Sequence, residues 1–273
     1  MNIKKLCIVA GAGDLPYLAA EEALQKNINI VIFSISEEIS RKTQATFNLQ
    51  HMTETVSLGA LGNLIKKMKK YEVSHALFLG KVRKEHLFNK KIRFDSLTLK
   101  LLKNLKDRKD DSVMHTIADE LAKNQIIMIE QPVFLQNLFL RKGVHSKKKP
   151  SPSDKEDIIF GMYFARKMGE LDIGQTVVVR HKSLLAIEAI EGTDLCIARG
   201  AKLAKGAGAV VCKAEKKGQD KRFDIPTIGL DTLRTMHDHG AHVLAFEADK
   251  TFIVTPNEVI HEANRLKLIL VAV

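Results

Sequence analysis

The chain contains no tryptophan, and aromatic residues fill only 5% of its 273 positions. Single-strand nucleic-acid binders stack bases on aromatic rings, so this scarcity counts against that class. Cysteine is equally sparse: Cys7, Cys196 and Cys212 stand far apart and are odd in number. Such a set supplies neither a disulfide framework nor a zinc site, and is expected as reduced thiols in a cytosolic protein. No apolar run approaches the roughly 18 residues of a membrane span. The opening MNIKKLCIVAGAG places two lysines before an apolar run. That run is too short for a signal-peptide core and breaks at a glycine turn, so it reads as a first strand.

What is present suits a globular enzyme. Apolar residues make up 45% and charged residues 27%, enough for real cores and a solvated surface. The length fits one large or two medium α/β domains. The net charge of +11 favours anionic partners: nucleic acid, an anionic membrane surface or a phosphorylated substrate. No helix-turn-helix, zinc module or aromatic platform accompanies it, so nucleic acid is not expected as a partner.

The first half alternates strand and helix. KKLCIVAGAG, INIVIFSI, HALFLGKV and QIIMIEQ read as buried strands, separated by amphipathic helices. Near-continuous apolar strands in this order predict a parallel, Rossmann-like sheet with both faces covered. HSKKKPSPSDKED has the texture of an exposed connection. The expected organisation is an N-terminal Rossmann-like α/β domain over 1–137, a linker over 138–154 and a mixed-sheet α/β domain over 155–273. In the latter, QTVVVRHKSLLAIEAIEG reads as two strands about a basic turn, and AHVLAFEADKTFIV as one strand.

Several stretches carry candidate chemistry. GAGDLP follows a strand and opens a helix, where glycines let a backbone approach phosphate and a helix N-terminus offers N–H groups. It is only half of a dinucleotide fingerprint. Pro16 occupies the third glycine position, and Ser34-Ile35-Ser36 stands where a ribose-binding acid would be. A nicotinamide cofactor is thereby disfavoured, while a tight turn and a phosphate contact both stay open. His237, His239 and His242 are close in sequence, but positions two apart on a helix face different ways. Asp110-Asp111 and EGTD (Glu191 to Asp194) read as helix caps or as carboxylates for a metal or sugar.

GQDKRFDIPTIG, Gly218 to Gly229, is harder to assign to a plain loop. Pro226 pushes the chain before it to extended geometry, so Asp224 would project from a stiff segment. Arg222, two residues earlier in an extended chain, would point the same way. An arginine and a carboxylate on one face suit phosphate: one binds its oxygens, the other holds a metal or takes a proton from water. A structural ion pair in a loop is the alternative.

Taken in order, VAGAGDLP, GKV, DD, LDIGQTVVV, AIEAIEGTD and QDKRFDIPTIG resemble the LpxI-type UDP-2,3-diacylglucosamine pyrophosphatases of bacterial lipid A biosynthesis. The resemblance runs from Leu6 to Val271. It implies two α/β domains with the substrate between them. It implies hydrolysis of UDP-2,3-diacylglucosamine to 2,3-diacylglucosamine 1-phosphate (lipid X) and UMP, assisted by Mg²⁺ or another divalent cation. The catalytic aspartate of the family maps to Asp224, with Asp220 a weaker candidate. Substrate contacts map to Gly11, Ala12, Gly13 and Asp14, to Gly80, Lys81 and Val82, and to Gln175, Thr193 and Asp194. Arg199, Lys213 and Arg222 are basic candidates for the same substrate, and Asp224, Asp194 and Asp111 are the candidate metal ligands. A diacyl substrate implies a cytoplasmic enzyme in peripheral contact with the inner leaflet. A homodimer is left open. The rival reading is another nucleotide-sugar or dinucleotide-binding Rossmann-type enzyme.

Overall fold

The computed structural model describes residues 3–47, 53–57, 59–81, 93–105, 110–206 and 208–273. The chain divides into two compact units: Met1–Leu135 with Asp220–Phe223, and Gln136–Gln219 with Asp224–Val273.

The first unit is built on a five-stranded parallel sheet of order β3-β2-β1-β4-β5, with β1 Leu6–Ala10, β2 Ile30–Ser34, β3 Thr53–Thr55, β4 His75–Leu79 and β5 Ile127–Met128. Every residue of β1 and β2 is buried, as their uninterrupted apolar sequences require of central strands covered on both faces. Helices α1 Leu15–Gln25, α2 Glu37–Phe47, α3 Leu61–Lys70, α4 Ser96–Asn104, α5 Asp110–Lys123 and α6 Pro132–Leu135 complete the unit. In α3, Leu61, Leu64, Ile65 and Met68 repeat at helical spacing and are buried, which turns its lysines outward. The chain runs outward from β1 to β3, then returns to the other side of β1 to form β4. The order therefore reverses between β1 and β4, and a crevice beyond the carboxyl ends of such a pair is where ligands of open α/β sheets sit. The expected strand QIIMIEQ pairs only over Ile127–Met128, because Gln131 turns away to bond Lys221 and Phe223.

The second unit has a six-stranded mixed sheet of order β6-β13-β11-β9-β7-β8. Its members are β6 Gly143–Val144, β7 Thr176–Arg180, β8 Ser183–Ile187, β9 Val210–Lys213, β11 Val243–Phe246 and β13 Ile269–Ala272. A parallel pair, β10 Thr227–Ile228 and β12 Phe252–Ile253, stands apart. Strands β9, β11 and β13 run parallel, while β6, β7 and β8 join antiparallel. Helix α7, Pro152–Glu170, packs Ile158, Met162 and Ala165 on one face of the sheet. The other face is covered by α8 Thr193–Leu203, α9 Leu230–His239 and α10 Pro256–Arg265. The β7–β8 turn places His181 and Lys182 at φ +48° and +54°, and both of their N–H groups donate to the buried Asp157 carboxylate.

Two expectations differ from the structure. Residues 138–154 lie within the second unit. There β6 pairs with β13, the Leu270 N–H donates to Ser146 Oγ at 3.0 Å, and Ser151 with Asp154 forms a capping box that opens α7. The lysines of this stretch report an exposed surface, not a detached chain. AHVLAFEADKTFIV is two strands, because Glu247 is buried between them and accepts from Arg166 Nε and the Glu215 N–H, both at 2.7 Å.

Candidate active site

In the first unit, the glycine turn after β1 and the turn after β4 meet at the point where strand order reverses. Ala12 and Lys81 form an antiparallel bridge, with Ala12 N–H to Lys81 O at 2.9 Å and Lys81 N–H to Ala12 O at 2.8 Å. The Gly11 N–H donates to Leu79 O at 2.7 Å. A Cβ on Gly11 would stand 2.8 Å from the Gly80 carbonyl carbon, and one on Gly80 would stand 2.7 Å from that of Gly11. Gly80 also lies at φ +90°, a conformation open to glycine. Both glycines are thus required by contact with each other, and three amides of these turns are committed inside the protein. Asp14, which precedes α1, takes an ion pair from Lys42 at 3.0 Å, and this bond raises the Lys42 pKa. Val82 lies outside the described residues, as do the side chains of Asp110 and Asp111.

Asp220 to Phe223 is a four-residue excursion of the later chain that belongs to the first unit. It is a turn, with Phe223 N–H to Asp220 O at 3.0 Å. The Asp220 carboxylate accepts the Arg222 N–H at 3.0 Å and its Nη2 at 2.7 Å, the local closure that aspartate offers two residues ahead. Arg222 also donates to His115 Nδ1 at 3.3 Å, and its guanidinium lies 4.9 Å from the Phe223 ring centre. His115 meets that ring edge-on at 4.9 Å. Hydrogen bonds from Arg222 hold the Asp220 carboxyl below its ordinary range, and the same pairing raises Arg222. The extended geometry that would turn Arg222 and Asp224 the same way is therefore absent. Arg222 is tied to Asp220.

Asp224 opens the next stretch of the second unit as an exposed carboxylate. Gln219 Nε2 donates to its Oδ2, and Gln219 Oε1 accepts the Lys216 N–H at 3.0 Å. Behind it the chain is fixed. Ile225 is buried, the Pro226 carbonyl accepts the Phe252 N–H at 2.8 Å, and β10 begins at Thr227.

Also in the second unit, the carboxyl end of β9 and the start of α8 share a buried polar chain. Lys213 Nζ donates to Thr193 Oγ1 at 3.0 Å, and Thr193 Oγ1 donates to Glu188 Oε1 at 2.9 Å. Thr176 Oγ1 is 3.5 Å from the Thr193 hydroxyl. Glu188 Oε2 and Gln175 Oε1 are buried with no hydrogen-bond partner among the described residues. Thr193 is the first residue of α8 rather than its cap, a place taken by Gly192 at φ +85°. Asp194 is exposed in the first turn. Arg199 reaches back to Ile187 O at 2.9 Å and Glu191 Oε1 at 2.6 Å, which braces the EGTD loop. Buried beneath, the Cys196 thiol is pushed up to about 12.

The histidines do not converge. His237 and His239 close α9, while His242 pairs with Asp154 at 2.8 Å. Among the described residues, no three histidine, cysteine or acidic side chains form a metal-holding group.

The LpxI N-terminal domain model matches residues 5–138, and the LpxI C-terminal domain model matches residues 141–271. The chain belongs to the LpxI family. It is similar to the UDP-2,3-diacylglucosamine pyrophosphatase LpxI of Caulobacter vibrioides, at 27% identity over 281 residues that cover 99% of this chain and 98% of that protein. The LpxI domain junction falls close to the division at Leu135 and Gln136. The Asp220–Phe223 excursion lies within the LpxI C-terminal domain by sequence and in the first unit by structure.

Sequence reasoning missed Glu188, Gln131 and Gln219. Glu188 lay inside a quoted motif but read as part of a strand. Gln219 likewise lay inside a quoted motif and Gln131 closed an expected strand, and the roles of both come from contacts that no local pattern encodes.

Proposed function

We propose that this chain hydrolyses the pyrophosphate bond of UDP-2,3-diacylglucosamine, giving 2,3-diacylglucosamine 1-phosphate and UMP in lipid A biosynthesis, with Asp224 as the catalytic residue. The observation that carries this reading is the setting of Asp224. An exposed carboxylate stands on a segment fixed by Pro226 and β10, with one oxygen bonded by Gln219. Such a carboxylate can orient a water and take its proton.

In the proposed reaction, the water oxygen bonds to the phosphorus on the glucosamine side. The bond from that phosphorus to the bridging oxygen breaks, and UMP leaves with that oxygen. The proton lost by water passes to Asp224 and then to solvent. Gln175, Thr193, Asp194 and Lys213, in the same unit as Asp224, are the proposed substrate contacts. Their value is charge neutralisation and positioning, which dominate phosphoryl transfer.

Mg²⁺ is commonly held by one or two carboxylates together with substrate phosphates, which suits an exposed aspartate. Asp224 is the proposed protein ligand, and Asp194 the nearest alternative by chemistry. A bound divalent cation would neutralise charge on the pyrophosphate.

No helix among the described residues is long and apolar enough to cross a membrane. Peripheral contact with anionic lipid at the cytoplasmic face is proposed on the net charge of +11. Hydrolysis in ¹⁸O-water tests the chemistry. Label in the diacylglucosamine phosphate supports it, and label in UMP contradicts it.

A further inference from the structure

Gln131, 5% exposed, follows β5 and makes three hydrogen bonds inside the first unit. Its N–H donates to Lys221 O at 3.0 Å, and its Nε2 donates to Phe78 O at 3.0 Å and Phe223 O at 3.1 Å. The main-chain N–H therefore holds the start of the Lys221–Phe223 segment, and the side-chain amide ties its end to strand β4. The Phe223 carbonyl belongs to the peptide whose nitrogen is that of Asp224. A peptide is planar, so a hydrogen bond that fixes the oxygen also fixes the plane from which Asp224 departs.

The Phe223 ring is anchored separately, packed on the first unit's core and against His115. Ring packing holds the side chain but does not by itself set the plane of the following peptide. The hydrogen bond from Gln131 to the Phe223 carbonyl acts on that plane directly. Glutamine suits this role because its amide carries two hydrogens, one for each carbonyl.

We propose that Gln131 is a positioning residue for Asp224, acting through the Phe223–Asp224 peptide. This rests on Asp224 as the catalytic residue. A misplacement of about 1 Å can cost on the order of 100-fold in rate, so loss of the clamp should lower kcat more than it alters KM.

The test uses the full chain with UDP-2,3-diacylglucosamine and Mg²⁺. Wild type, Gln131→Met, Gln131→Asn and Asp224→Asn are compared, with hydrogen exchange read in parallel without substrate. Methionine keeps the volume and loses the donors; asparagine keeps the amide but is too short to span both carbonyls, and replaces methionine if that variant does not fold. The expected result is a kcat lowered at least about tenfold with KM within about threefold. Exchange should rise in the peptide spanning Gln219 to Pro226 and stay unchanged in β1 and β4. A kcat within about twofold of wild type, or faster exchange throughout the first unit, overturns the proposal. If Asp224→Asn is fully active, the catalytic reading itself fails. If Asp224→Asn is inactive while Gln131→Met keeps its kcat, only this inference fails.

Discussion

Lys213 donates to the Thr193 hydroxyl at 3.0 Å from a side chain only 6% exposed. The hydroxyl in turn donates a hydrogen bond to Glu188, itself 8% exposed. A buried ammonium is costly unless it is hydrogen-bonded and its charge is answered nearby. Thr193 accepts from the lysine and donates to the carboxylate, so the three side chains form one unit. Glu188→Ala should cost about 1–3 kcal/mol in urea unfolding, because it removes the acceptor of the Thr193 hydroxyl. Glu188→Gln should cost less and lower kcat/KM at least about tenfold, through altered orientation of Thr193. Equal activity of Glu188→Gln and wild type would show that the unit supports only the fold.

The Asp220–Arg222 pair predicts a pH dependence of stability. Hydrogen bonds from Arg222 depress the folded-state pKa of Asp220. Its contribution is therefore present above the unfolded-state value and lost as pH falls through the folded one. The stability difference between wild type and Arg222→Met should be full at neutral pH and shrink in acid, below the ordinary carboxylate value of about 3.9. The pair is partly exposed, so the difference at neutral pH should be about 1 kcal/mol or less. Thermal unfolding at several pH values measures it. A difference that grows in acid would contradict the assignment.

Gly80→Ala tests the meeting of the two turns. The new Cβ would stand 2.7 Å from the Gly11 carbonyl carbon, at a backbone φ of +90°. Clash and strain together should cost about 2 kcal/mol or more. Alanine at Gly13, whose Cβ would meet nothing within 4 Å, should cost less despite its own φ of +102°. Melting temperatures of the two variants decide, and equal shifts would contradict the close approach as the cause.

The parallel sheet was legible because LCIVA and IVIFS are apolar throughout, which only a strand covered on both faces can use. The stretch at 138–154 misled because lysine, proline and serine report exposure, whereas the pairing of Val144 and the bond to Ser146 are long-range backbone contacts. The charged stretch at 220–224 was legible as unusual, and Asp224 as its stiffly held acid. Its internal partnerships were not. The extended reading aimed Arg222 alongside Asp224, but the turn that Asp220 closes gives the arginine to Asp220 instead. Gln131 stands 92 positions from Phe223, and no local pattern encodes such a bond.

Catalysis by Asp224 is decided by hydrolysis of UDP-2,3-diacylglucosamine with Mg²⁺, run on wild type and Asp224→Ala of equal melting temperature. The expected result is release of UMP and the diacylglucosamine phosphate by wild type and a loss of at least about 100-fold in kcat for the variant. Turnover by Asp224→Ala at the wild-type rate would contradict it.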